Sequence, residues 1–176
     1  MTTTLVRPQP DEFAAYYQKY VQRVPDGDVA DLLARQIEDT ASLLAAVKES
    51  DAGFRYAPGK WSIREVVGHL ADTERVFAYR ALRFARGDET PLASMEQDQW
   101  MPVAGFDQRS LADLVTEFRD VRRGTLALVR SFDAAALARA GTASGNRVTV
   151  RALVYIIAGH ERHHVAILRE RYGLGR

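Results

Sequence analysis

Val150-Arg151-Ala152-Leu153-Val154-Tyr155-Ile156-Ile157-Ala158-Gly159-His160-Glu161-Arg162-His163-His164-Val165-Ala166-Ile167-Leu168-Arg169-Glu170-Arg171-Tyr172 is the stretch whose pattern decides the architecture. A helix advances by about 100° per residue, so Leu153, Ile157, His160, His164 and Ile167 fall on one narrow seam. With Leu153 at zero, the other four project at about +40°, −20°, +20° and −40°. The seam is apolar except for the two histidines at its centre. Glu161 projects to about +80° and His163 to about −80°, on opposite shoulders. Thr149 is placed to open this helix and Gly173 to end it.

The same three- and four-residue recurrence runs outward through the rest of the chain, and strand-like alternation is scarce. A long helix is expected over 110–131, opened by Ser110 and carrying Leu111, Leu114, Phe118, Val121, Leu126 and Val129. A single turn over 133–139 and a loop over 141–146 separate it from the last helix. Upstream, Ser62 and Glu65 have the spacing of a capping box, with Trp61 and Val66 where a hydrophobic staple would close. The helix they open carries Val67, Leu70, Phe77 and Phe84 and stops at Gly87-Asp88. Another long helix is expected over 28–49, and a short leading one over 11–24, ended by Pro25-Asp26-Gly27. The pattern predicts an all-α four-helix bundle with a short extra N-terminal helix. A long connection over 88–109 joins its second and third helices. One domain is expected over 1–176, with its core at about 28–172.

Composition limits what such a bundle does. The chain has 24 Lys and Arg against 23 Asp and Glu, a net charge of +1, and offers no electrostatic footprint for nucleic acid. Its apolar fraction of 47% contains no run long enough for a membrane span. Residues 1–8 show no basic segment followed by an apolar one, so a cytoplasmic setting is expected. With no cysteine, disulfides and thiolate ligands are excluded. Any bound metal ion must be held by imidazole, carboxylate and water.

The chain has four histidines, and three of them stand at 160, 163 and 164. His160 and His164 face the bundle axis one turn apart, a spacing that lets two imidazoles share an ion. Buried side by side without partners, their ring nitrogens would each cost a few kcal/mol of desolvation. His69 lies 91 positions upstream of His160, at the edge of its own helix's apolar stripe. Periodicity leaves it open between a hydrogen-bonded core residue and a third ligand. His160-Glu161-Arg162-His163-His164 also fits the H-E-x-x-H metalloprotease motif, with Glu161 as general base. Against this, the extended motif needs glycine and histidine at positions that hold Ile167 and Glu170. Asp72 and Glu161 are accessory candidates for steadying an imidazole or moving a proton. Trp61 reads as a staple and His163 as a solvent-facing or outer residue. Trp100 and Met101 are placed to cover a site or an interface. Arg80 and Arg83 fit a solvated face or contact with an anionic ligand.

Pro58-Gly59-Lys60-Trp61-Ser62-Ile63-Arg64-Glu65-Val66-Val67-Gly68-His69-Leu70, followed by Asp72-Thr73-Glu74 and the run from Tyr79 to Gly87, resembles the second-helix signature of the DinB-like (YfiT-like) superfamily. The H-x-x-x-H of His160 and His164 resembles that family's C-terminal mark. The resemblance implies a divalent metal ion on His69, His160 and His164, with zinc or nickel foremost and iron or manganese as alternatives. It implies a homodimer acting on a small molecule, without nucleic acid or membrane partners. The activity it points to first is an S-transferase using a low-molecular-weight thiol as cosubstrate. Hydrolysis by an activated water, or a non-catalytic metal-binding role in stress response, are the alternatives.

Overall fold

The computed structural model describes residues 5–175, so the first four residues of the leader reading lie outside the described residues. Two turns of 3-10 helix, Pro10–Glu12 and Ala15–Tyr17, lead into α1 (Gln18–Val21). The long helices are α2 (Val29–Ala45), α3 (Ile63–Ala85), α5 (Leu111–Arg130) and α7 (Val150–Glu170). Two short ones, α4 (Gln97–Trp100) and α6 (Ala134–Ala138), stand in the connections. The four long helices form the expected bundle. α3 packs on both α5 and α7, and α2 closes the other side.

Each long helix begins where a side chain meets its first free amides. Asp28 accepts from Ala30 and Asp31, Ser110 from Asp113, and Thr149 from Ala152. Ser62 and Glu65 form the full capping box, with the Glu65 amide donating to Ser62 Oγ at 3.0 Å and the Ser62 amide to Glu65 Oε2 at 2.8 Å. These bonds satisfy donors that a helix start otherwise leaves unpaired.

Two expectations are corrected. The leading helix over 11–24 is broken, with only Gln18–Val21 truly α-helical. Arg7 accounts for part of its course, donating to the carbonyls of Val21 and Val24 at 2.9 and 2.7 Å. The expected loop over 141–146 is a hairpin, β1 (Ala140–Ala143) against β2 (Asn146–Thr149), antiparallel with Ala143 opposite Asn146. Its two-residue turn, Ser144-Gly145, has φ of 52° and 72°. Positive φ at both central residues is what a type I′ hairpin turn requires. Leu92, in the long connection, pairs with this hairpin: its amide donates to Thr142 O at 2.9 Å and Leu92 O accepts from the Ser144 amide at 3.0 Å.

One apolar cluster gathers around the first half of α7, with Leu153, Ile156 and Ile157 against Phe77, Phe84 and Val129. A second lies at the other end, where Ile63, Val66 and Leu168 meet Met101, Phe106 and Leu114. A polar cluster with buried charge also lies inside the bundle. Arg122, fully buried, donates to Glu74 at 2.8 and 2.7 Å and to Glu161 at 2.9 Å. Gln36 and Thr40 donate to the same Glu161 carboxylate at 2.7 and 2.6 Å.

Candidate metal centre

α3 and α7 run antiparallel. The ring of His160 lies near Phe77, and that of His164 near Trp61, so advancing along α7 means retreating along α3. This brings His69, near the middle of α3, between the two histidines of α7. Ring centroids are 5.1 Å apart for His69 and His160, 5.0 Å for His69 and His164, and 4.6 Å for His160 and His164. One nitrogen of each falls within 4.8 Å of the others, and His69 Nε2 lies 3.2 Å from His160 Nε2. A tetrahedral ion about 2.0–2.1 Å from each nitrogen would separate ligand nitrogens by roughly 3.3–3.4 Å. The closest pair already has that spacing.

Two glycines allow the approach of the surrounding segments. A Cβ on Gly159, just before His160, would lie 2.0 Å from the carbonyl oxygen of Tyr20. A Cβ on Gly68, just before His69, would lie 2.4 Å from the Phe106 ring. His160 and His69 are thus each preceded by a position where the neighbouring segment presses directly on the helix.

All three rings are buried, with exposures of 2%, 5% and 9% for His69, His160 and His164. Burial lowers the pKa of His69 to about 4, although the charge of Asp98 opposes the shift. Burial also holds His160 and His164 well below the usual imidazole range, and the neighbouring histidines add to it. All three are therefore neutral near pH 7, with lone pairs available. Among the described residues, their only hydrogen-bond partners are Thr73 and one another. Thr73 Oγ1 lies 3.3 Å from His69 Nδ1 and 3.7 Å from Met95 Sδ. The same oxygen lies 3.4 Å from His69 Nε2, so Thr73 borders the edge of the ring that carries both nitrogens. Three neutral, converging imidazoles without a full complement of protein partners fit a borderline divalent cation.

The other candidates separate cleanly. Glu161 points away from the histidines, as its projection predicts, but it does not reach solvent. It is 2% exposed and occupied by Arg122, Gln36 and Thr40, which removes it as an accessory base. Asp72 pairs with Arg75 at 3.2 Å and makes no hydrogen bond to His69, so its accessory role is not realised. His163 stays outside the trio, with its ring 5.3 Å from that of Tyr20. Arg83 is held by Asp88 and Tyr79 at the end of α3. Trp100 is 41% exposed, while Met101 is buried in the second apolar cluster.

Sequence reasoning passed over several neighbours. Trp61, taken for a staple, packs at 4.6 Å from the His69 ring and stacks at 6.4 Å, with a 17° interplanar angle, on His164. Tyr20 meets His160 edge-on at 5.3 Å, and burial raises its phenol pKa, so it keeps its proton. The long connection covers the site through Met95 and Asp98 rather than Trp100. The one available signal was its length, since long connections in compact bundles are uncommon and often functional. Arg80, read as part of a solvated face or as a contact for an anionic ligand, is 4% exposed.

Two cavities meet the trio from its two ends. One, of about 290 Å³, is lined by His160, Thr73, Phe77, Tyr20, Met95 and Arg80. The other, of about 240 Å³, is lined by His164, Trp61, Val66, Tyr56, Lys60 and Asp98. Because Val66 precedes His69 on α3 and Thr73 follows it, the cavities lie on either side of the cluster along the bundle.

The model of the DinB superfamily matches residues 32–168. Among solved structures, the chain is similar to YfiT from Bacillus subtilis, described as a probable metal-dependent hydrolase with an unusual four-helix bundle topology. The TM-score is 0.71 at 18% identity, over 96% of this chain and 94% of that one. It is similar to a mycothiol-dependent maleylpyruvate isomerase, with a TM-score of 0.66 at 15% identity, over 82% of this chain and 61% of that longer one. A third is the DinB-like protein YjoA from Bacillus subtilis, with a TM-score of 0.58 at 21% identity, over 81% of this chain and 87% of that one. No curated protein sequence matches the chain.

Proposed function

Because the chain belongs to the DinB superfamily, we propose that it is a metal-dependent enzyme in which His69, His160 and His164 hold a divalent cation, zinc or nickel foremost, and that it transfers a low-molecular-weight thiol to an electrophilic small molecule. The observation that carries the metal site is the convergence of three neutral, buried imidazoles from α3 and α7. Three protein ligands leave a coordination position for a reactant, the arrangement of catalytic rather than structural sites. When bound, such an ion lowers the pKa of a thiol or water that joins it.

The residues of the chain do the rest. Thr73 sets its hydroxyl against the His69 ring, where outer partners of metal-binding histidines commonly stand. Trp61 and Phe77 pack against the imidazoles and keep bulk water from them. Tyr20, protonated at neutral pH, places a neutral ring edge against His160 and adds no charge. The two cavities favour a two-substrate reaction, with one reactant entering past Trp61 and the other past Phe77. A chain without cysteine takes its thiol from a cosubstrate. A homodimer in a cytoplasmic setting is part of the same proposal, as is a single domain over the whole chain.

Hydrolysis is the second reading, favoured by the description of YfiT as a probable metal-dependent hydrolase. A mass-spectrometric screen separates the two. The metallated protein is offered bacillithiol, mycothiol and glutathione, each with an epoxide and a halogenated carbon. Conjugate above the uncatalysed background with one thiol is expected. Its absence with all three removes the transferase reading. Elemental analysis of His69→Ala, His160→Ala and His164→Ala should show loss of stoichiometric metal in each, and full retention in any variant removes that residue from the site.

A further inference from the structure

Among the described residues, two arginines are buried, and they are treated very differently. Arg122, fully buried, lies between the carboxylates of Glu74 and Glu161. Arg80 is 4% exposed, yet among the described residues no carboxylate oxygen lies within 4.0 Å of its nitrogens. Its Nη2 donates to Ala93 O at 2.7 Å and to Ser144 Oγ at 3.2 Å, both neutral acceptors. Its Nε and Nη1 hydrogens have no protein acceptor among the described residues. A buried cation without a counter-charge is costly, and a protein tolerates it where something else supplies the charge.

Arg80 lines the cavity of about 290 Å³ that His160 also lines. The walls between them are Phe77, Thr73 and the rings of Tyr16, Tyr17 and Tyr20. The Lys19 ammonium lies 3.9 Å from the Tyr16 ring centroid, adding positive charge near this wall. Glu96, at an exposed position, is the cavity's one carboxylate lining residue. Arg80 Cζ lies 5.8 Å from the Phe77 ring centroid and the His160 ring 6.2 Å from it, so the Phe77 ring stands beside both ends of the cavity. Ser144, the one non-glycine described residue with positive φ, sits at the hairpin turn and offers its hydroxyl to Arg80. The hairpin and the long connection thus hold the guanidinium through Nη2 while leaving its Nη1 hydrogens free for an incoming anionic oxygen.

We propose that this cavity takes a small molecule bearing a carboxylate, which Arg80 grips while the molecule's reacting end lies against the histidine cluster. With Nη2 already committed, Nη1 donates a single charge-assisted bond to a carboxylate oxygen, roughly twice as strong as a bond between neutral groups. The inference rests on the reading that the histidines mark the reacting centre, and it names the chemical class of one of the two reactants.

Calorimetric titration of the full-length, metal-loaded protein with adipate and with its neutral diamide tests the assignment, with inorganic phosphate as a second anion. Adipate should bind at least tenfold more tightly than the diamide or phosphate. Arg80→Met should abolish that preference, and Arg80→Lys should keep part of it. If Arg80→Met does not fold, Ser94→Asp serves instead. It changes an exposed position lining the same cavity, offers Arg80 an internal carboxylate, and should block adipate. Unchanged adipate binding in either variant overturns the proposal, as does phosphate binding as tightly as adipate. Metal content, read separately by elemental analysis, distinguishes the two levels. Metal absent with Arg80-dependent adipate binding sinks the metal-enzyme reading and supports the anchor. Metal present without that dependence sinks the anchor alone.

Discussion

Gln36, Thr40 and Arg122 all donate to the Glu161 carboxylate, so at the scale of single residues this side chain is an ionic support of the bundle and not a base. Burial alone would pull the Arg122 pKa down, but the charges of Glu161 and Glu74 outweigh it and keep the guanidinium protonated. Glu161→Ala should therefore cost on the order of 3 kcal/mol in urea unfolding, the lower end for breaking a buried pair, because Glu74 still compensates Arg122. Folded Glu161→Ala should keep its metal. Unchanged stability with lost turnover would instead return Glu161 to the chemistry. Helical projection alone put Glu161 about 80° from the histidine seam. It could not supply the partners, which lie 39, 121 and 125 residues away on other helices. The same limit hid Arg80, whose burial comes from a hairpin and a connection that no periodicity on α3 announces.

At the scale of elements, the N-terminal segment is fastened to α7 at two places with different chemistry. Near its middle, Tyr20 presses its backbone on Gly159, and Gly159→Ala should cost about 1–3 kcal/mol through overpacking. Hydrogen exchange should then show faster opening of residues 15–24 than of α3. Equal protection in both proteins would mean that the segment adjusts without cost. At the start of α7, Glu12 accepts from Thr149 at 2.8 Å and from Arg151 at 2.6 and 2.5 Å. Burial raises the Glu12 pKa, but the bonds from Arg151, the Gln9 amide and Thr149 more than offset this and hold it below its ordinary 4.5. A carboxyl with a depressed folded pKa contributes stability that is full above its unfolded pKa and lost as pH falls through the folded one. Glu12→Gln should thus be less stable than the wild type at pH 7, and the gap should close as the pH drops below the ordinary carboxylate range. A gap that stays constant in urea midpoints from pH 7 to pH 3 would exclude an ionic origin. The four long helices were legible because caps and three-four periodicity act within one element. The hairpin was not, because Gly141-Thr142-Ala143-Ser144-Gly145-Asn146 has no apolar alternation, and its pairing with Leu92 joins residues about fifty positions apart.

At the scale of the whole molecule, the histidine cluster lies between two apolar clusters and beside an ionic cluster whose charges pair with one another, none of which needs an ion to hold together. The bundle was therefore readable from apolar spacing without reference to the site, while the site required two helices to be set side by side. Periodicity showed His160 and His164 on one seam, and family resemblance supplied His69. Only the antiparallel packing of α3 on α7 brings the three within 4.8 Å. This independence of fold from site has a thermodynamic consequence. An ion that binds the folded state alone stabilises it by RT ln(1 + [L]/Kd), about 2.7 kcal/mol at a hundredfold excess over Kd. Chelation should remove that increment and no more. The metal-free protein is expected to keep its far-ultraviolet circular dichroism and a single cooperative melt, with Tm lower by roughly 5–11 °C for a domain of this size. Restoring zinc or nickel should return the original Tm in proportion to occupancy. Removing one ligand by His160→Ala should make Tm insensitive to both chelator and added metal. Loss of helical signal on chelation would instead show that the ion completes the core, and the site would then belong with the closed, structural kind.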